Sequence, residues 1–129
     1  VRCSPKMARR VVKEVGEFKF VLAHMGGWKN WSEVLKILRG TKIFIDTSFS
    51  TGRIIPRADF KWAEDDLKLL NAAQFMEFVK VFGAERILFG TDSPWTSART
   101  SIEFIKNLPL SDDDKDKILG GNAQRLLKV

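Results

Sequence analysis

His24, Asp46, Ser48, Asp92 and Ser93 stand at or just behind the ends of short apolar runs, so the residues best able to do chemistry sit where apolar segments stop. His24 is the single histidine of the chain. Its imidazole can ligate a metal or move a proton near neutral pH. Asp92 can ligate a hard or borderline cation, or accept a proton from a cation-bound water. Gly26 and Gly27 follow the histidine, and without side chains they let backbone pass close to a ligand or ion. His24 and Asp92 lie too far apart in sequence for a local motif, so any meeting between them must come from the fold. On residue types alone the ordinary roles stay open. A lone histidine at a strand end is commonly a satisfied structural residue, and Asp before Ser-Pro is commonly a turn former.

The elements that would position these residues repeat one plan. Ser4 and Pro5 form a helix start, Met7, Val11, Val12 and Val15 recur at helical spacing, and Gly16 is a C-terminal stop. A short apolar strand, residues 18–23, then ends at His24. Asn30 with Glu33 reads as a capping box before a stripe of Trp31, Val34, Leu35 and Leu38, closed by Gly40. The strand Ile43-Phe44-Ile45 runs into Asp46, Thr47 and Ser48. After a long segment rich in Arg and Lys, Asn71 and Gln74 offer a second capping box, with Phe75, Phe78, Val79 and Phe82 behind it and Gly83 as the stop. A third strand, residues 86–89, leads to Gly90, Thr91, Asp92, Ser93, Pro94 and Trp95. The chain closes in helices, one around Ile102, Phe104 and Ile105, the next started by Ser111 and Asp114, with Asn122 expected to cap the last. Short strands without polar alternation are buried on both faces, which predicts parallel strands covered by helices and an α/β fold. In such folds the ligand site lies at the C-terminal strand ends, and here all three predicted ends are polar.

Composition sets the limits. The 129 residues are 44% hydrophobic and 29% charged, which suits one globular unit, and no apolar run approaches the roughly 18 residues needed to cross a bilayer. The single cysteine, Cys3, allows no intrachain disulfide or Cys-based zinc site and reads as incidental in a reducing compartment. No secretory leader opens the chain, so a cytoplasmic location is expected. The net charge of +6 raises a nucleic-acid partner, but Lys and Arg are scattered at helical spacing, the pattern of a solvated face, and no nucleic-acid or membrane partner is expected.

Four blocks taken together carry a resemblance. They are Val21-Leu22-Ala23-His24-Met25-Gly26-Gly27-Trp28, Ile43-Phe44-Ile45-Asp46-Thr47-Ser48, Arg86-Ile87-Leu88-Phe89-Gly90-Thr91-Asp92-Ser93-Pro94-Trp95, and Ile118-Leu119-Gly120-Gly121-Asn122-Ala123-Gln124-Arg125-Leu126-Leu127. In this order they resemble the C-terminal portion of amidohydrolase-related (β/α)8 barrels, in the branch that contains aminocarboxymuconate-semialdehyde decarboxylase and related hydrolases. The resemblance implies a TIM barrel whose strands six, seven and eight end in these first three blocks. It implies that His24 is the strand-six histidine, which positions or deprotonates a metal-bound water or acts on substrate. It implies that Asp92 is the strand-eight aspartate, which contacts the metal and its water. His24 and Asp92 are then both catalytic and metal-binding, with a divalent ion as cofactor and zinc as the expected one. The sequence departs from the family pattern in having no His-x-His pair and no second metal-binding histidine. Residues 1–129 are accordingly expected to be one unit, the C-terminal part of a longer barrel, carrying part of a metal site and inactive alone.

Large aromatics line small-molecule pockets, so Trp28 and Trp95, which follow the His and Asp motifs, are expected to face the substrate. Arg53 and Arg57 lie in the long segment after the second strand and have the fork geometry to hold a carboxylate, against the ordinary expectation of a solvated basic loop. Arg53 is placed with the substrate-binding residues. Ser48 is placed there too, its hydroxyl expected to satisfy local backbone rather than attack, since no His or Lys lies beside it in sequence. The expected function is a metal-dependent hydrolase acting on a small molecule through a metal-activated water. The alternatives are a non-oxidative decarboxylase of the same superfamily or a non-catalytic interaction module on the same scaffold. Homo-oligomers or the remainder of the barrel are the expected macromolecular partners.

Overall fold

The structure is a computed structural model that describes residues 4–16, 18–57 and 60–129; Cys3 lies outside the described residues. Its elements in chain order are α1 (Pro5–Val15), β1 (Val21–Leu22), α2 (Trp31–Ile37), β2 (Phe44–Asp46), α3 (Ala72–Phe82), β3 (Ile87–Leu88), α4 (Ala98–Lys106), α5 (Asp112–Asp116) and α6 (Asn122–Leu127). The three strands form one parallel sheet in the order β1-β2-β3, with Leu22 opposite Ile45 and Ile45 opposite Ile87. That is the expected α/β arrangement, with each strand reaching the next through a helix. The strands are shorter than their apolar runs because only residues that meet a partner ladder are fixed as strand. On the β1 side, Phe18 and Val21 remain exposed.

Helix starts follow local chemistry where the side chain is free to turn back. Ser4 Oγ accepts from Met7 N–H at 3.3 Å, and Ser111 Oγ accepts from Asp114 N–H at 3.1 Å. Asn71 and Gln74 complete their box in both directions, at 2.9 and 3.0 Å. The box expected from Asn30 and Glu33 does not form. Asn30 sits at φ −96°, ψ 23° rather than in the extended conformation a cap needs, because it leaves the preceding glycine turn, and α2 ends at Ile37 before Gly40 is reached.

The core lies where the helices meet the sheet. Val34 and Leu38 of the α2 region, Phe75, Phe78 and Phe82 of α3, Ile105 of α4 and Ile118 pack against Ile43, Ile45 and Ile87. Gly26 holds α2 close to this layer, since a Cβ there would meet Val34 Cγ1 at 2.8 Å. Asn122 is not a helix cap. It is fully buried, and its Nδ2 donates to the carbonyls of Ala84 (2.7 Å) and Ile87 (2.8 Å), tying the C-terminal helices to the entrance of β3. The apolar stripe of α1 also departs from expectation, because Met7, Val11 and Val15 face outward and Ala8 packs inward. No helix among the described residues is long and apolar enough to cross a membrane.

Candidate active site

The three strand exits share a strained backbone. His24 (φ 58°), Met25 (φ 53°), Phe49 (φ 49°) and Asp92 (φ 57°) all occupy the left-handed region, which side chains larger than glycine rarely adopt. Such conformations persist only where surrounding contacts over-determine them, and they concentrate at functional sites. At the exits of β1 and β2 the contacts centre on Asp46. Its Oδ1 accepts from the backbone N–H of His24 (3.0 Å) and of Ser48 (3.0 Å), and from the Ser48 hydroxyl. Trp31 Nε1 donates to the His24 carbonyl at 3.2 Å, holding the turn from outside. The exits of β2 and β3 are joined by Thr47, whose N–H donates to the Leu88 carbonyl at 2.9 Å and whose hydroxyl oxygen accepts from Gly90 N–H at 3.0 Å. Gly90 lets the two exits approach closely, since a Cβ there would lie 3.3 Å from Ser48 Cβ, a tight contact.

His24 and Asp92 are brought to one cavity of about 340 Å³, whose other walls are Trp28, Phe49, Phe60, Trp62 and Trp95. The aromatic rings touch in a chain. Trp28 and Phe49 lie 5.3 Å apart between centroids, Phe49 and Trp62 6.3 Å, Trp62 and Trp95 6.4 Å, and Phe60 and Trp95 5.4 Å. The loop that brings Phe49, Phe60 and Trp62 is fastened at several points. Ile55 N–H donates to the Trp95 carbonyl at 2.8 Å, Ser97 N–H to the Arg53 carbonyl, and Lys29 Nζ to the carbonyls of Asp65 and Lys68.

Of the residues expected at the site, His24, Trp28, Asp92 and Trp95 line this cavity. Ser48 does not; it stands behind His24, with its carbonyl 3.0 Å and its hydroxyl 3.2 Å from Nδ1. Arg53 is exposed and contributes its backbone to the loop rather than its guanidinium to the cavity. Arg57 is the loop arginine near the wall, with its guanidinium carbon 5.4 Å from the centre of the Trp95 ring. Sequence reasoning missed Asp46 as the clamp and Phe49, Phe60 and Trp62 as walls. The length and aromatic content of that loop were the signal that pointed to them. A larger hollow of about 500 Å³ opens beside α1 and the entrance to β2, and its lining holds no His, Asp or Glu among the described residues.

Ligand-capable atoms in the cavity are Nε2 of His24 and the carboxylate of Asp92, neither of which has a hydrogen-bond partner among the described residues. Nowhere among the described residues do three His, Cys, Asp or Glu side chains converge as a metal ion requires. Three or four protein ligands are usual for zinc, so these residues fit part of a coordination shell and do not complete one.

Comparison with known proteins agrees with this architecture. A curated relative, the gamma-resorcylate decarboxylase of Polaromonas sp. (strain JS666 / ATCC BAA-500), is 43% identical over 47 residues, covering 36% of this chain and 14% of that protein. An uncharacterised TIM-barrel protein from Bordetella bronchiseptica superposes with a TM-score of 0.69 at 26% identity, over 96% of this chain and 39% of the other. An amidohydrolase from Burkholderia multivorans with bound zinc gives 0.70 at 17% identity, over 97% and 49%. A dihydroxybenzoic acid decarboxylase from Polaromonas sp. JS666, with bound manganese and the inhibitor 2-nitroresorcinol, gives 0.61 at 22% identity, over 95% and 37%. The chain thus spans less than half the length of each of these proteins, and its α/β fold matches a portion of their barrels. The amidohydrolase family profile matches residues 4–129, and the chain belongs to that family.

Proposed function

We propose that this chain supplies strands six to eight of a metal-dependent barrel enzyme that acts on a small ring-bearing acid, with non-oxidative decarboxylation as its reaction. The observation that carries the reading is the convergence of His24 and Asp92 on one aromatic-walled cavity at the C-terminal ends of parallel strands. Decarboxylation moves ahead of the hydrolysis expected from sequence because a relative at 43% identity over 47 residues is a decarboxylase of a hydroxylated benzoate, and because the walls suit a flat ring. Hydrolysis stands as the second reading, favoured by the bare Nε2 of His24, which is placed to take a proton from an attacking water.

In this scheme Trp28, Phe49, Trp62 and Trp95 hold the ring and exclude water, which strengthens every charge interaction inside the cavity. His24 Nε2 accepts or returns a proton at the reacting carbon, and Asp92 holds negative charge opposite it. When carbon dioxide leaves, the bond to the ring breaks and a proton takes the vacated position, so the site must carry one proton per turnover. A divalent ion, zinc or manganese, would supply charge stabilisation, held in part by Asp92 and completed by ligands from outside these 129 residues, which leaves His24 Nε2 free for the proton. The test is to incubate the full-length, metal-loaded protein with hydroxylated benzoates and follow carbon dioxide release. Ring-opening of cyclic esters without carbon dioxide would transfer the assignment to hydrolysis. Full-length protein that takes up no divalent ion and shows neither activity would leave an interaction module on the same scaffold.

The partner proposed for the exposed apolar surface is the remainder of the barrel. Met7 and Val15 are 51% and 64% exposed on α1, and Phe18 and Val21 lie by the free edge of β1. A neighbouring parallel strand and its helix would cover both. The 129-residue chain alone is therefore expected to sediment as oligomers or aggregates. A soluble monomer that unfolds cooperatively would count against this surface being an interface. A cytoplasmic setting without nucleic-acid partners completes the proposal.

A further inference from the structure

The environment of the His24 ring assigns its protons. Nδ1 faces two oxygens of one residue, the Ser48 carbonyl at 3.0 Å and the Ser48 hydroxyl at 3.2 Å. A carbonyl oxygen only accepts. The hydroxyl has one proton and donates it to Asp46 Oδ1, an oxygen that also accepts from two backbone N–H groups, so the serine turns a lone pair toward the imidazole. Both oxygens therefore require a proton on Nδ1. No described residue bonds Nε2, and the ring lines the cavity.

We infer that Asp46 is a positioning residue which, through Ser48, holds neutral His24 as the Nδ1–H tautomer and so presents a bare Nε2 to the cavity. Its hold is threefold. One carboxylate oxygen fixes the backbone of His24, the backbone of Ser48 and the direction of the Ser48 hydroxyl. Such a partner on the far ring nitrogen is what sets which nitrogen is free for a metal or proton. The unrestrained imidazole favours the opposite tautomer, with its proton on Nε2, and a ring in that form could neither ligate through Nε2 nor accept a proton there. The consequence for chemistry rests on the proposed function, but the tautomer itself does not.

The test is 15N spectroscopy of the histidine-labelled full-length protein after chelation, so that no bound ion dictates the tautomer, at a pH where the ring is neutral. The His24 signals are those lost in His24→Gln. The wild-type protein is expected to show a protonated, pyrrole-type Nδ1 and a pyridine-type Nε2. Ser48→Ala keeps the carbonyl and should keep that pattern. Asp46→Ala should lose the pyridine-type Nε2 signal as the ring relaxes to Nε2–H. If that variant does not fold, Asp46→Asn serves, with a partial shift of the same sign. A wild-type ring protonated on Nε2 would overturn the inference, as would a ring indifferent to folded Asp46 variants. Because no turnover is read, failure here leaves the proposed reaction standing, and absence of decarboxylation leaves the tautomer standing.

Discussion

Replacing Asp92 by asparagine in the full-length, metal-loaded protein is expected to lower kcat by roughly 10²–10³-fold, the usual cost of removing one preorganised electrostatic group, without unfolding the protein. The substitution keeps the shape of the side chain and removes the charge. Asp92 lies at φ 57°, a conformation asparagine tolerates at least as readily, so the substitution adds no backbone strain. Its carboxylate has no hydrogen-bond partner among the described residues and borders the cavity, so no structural bond is lost. The measurement is kcat and KM on the purified variant, with circular dichroism and metal content as controls. Near-normal turnover in a folded, metal-loaded variant would remove Asp92 from the site.

Phe78→Ala is expected to destabilise the protein by about 3–5 kcal/mol, the usual cost of deleting a buried phenylalanine ring and leaving its cavity. Phe78 is fully buried on α3 and stacks with Phe82 at 6.1 Å between centroids. Phe75, one turn earlier, packs edge to face on Phe104 of α4 at 5.6 Å, so α3 is bound to the core over its whole inner face and cannot collapse into the space. Urea unfolding should show a lower midpoint with an unchanged slope. Leu127→Ala provides the contrast, since that side chain is largely exposed and its loss should cost less than about 0.5 kcal/mol. A Phe78→Ala midpoint close to wild type would show that α3 does not anchor the sheet.

How much of this was legible in the residues depends on the distance over which each interaction acts. Helix starts at Ser4, Asn71 and Ser111 are readable because a cap is decided within three residues. The parallel sheet is readable because burial on both faces removes polar alternation from every strand. The convergence of His24 and Asp92 follows from that sheet, since parallel strands send all their exits to one end. Asn30 fails as a cap, although its composition suits one, because the glycine turn before it dictates its backbone.

Pairings between distant segments are not written in any local pattern. Asn122 looks like a cap and is a buried strut, because Ala84 and Ile87 turn their carbonyls toward it from a part of the chain far away in sequence. Arg53 carries the fork that recognises carboxylates, yet the loop engages its carbonyl with Ser97 and leaves its side chain outside the cavity. Phe49, Phe60 and Trp62 become walls only when that loop folds over the strand ends. Asp46 reads as one more polar residue at a strand exit, and it becomes the clamp of His24 because β1 and β2 lie side by side in register. Residue types and their short-range order thus determined the elements, the direction of the strands and the end at which chemistry gathers. Which carboxylate holds the histidine and which rings close the cavity were settled by packing, since those contacts join residues whose separation along the chain exceeds the reach of any side chain.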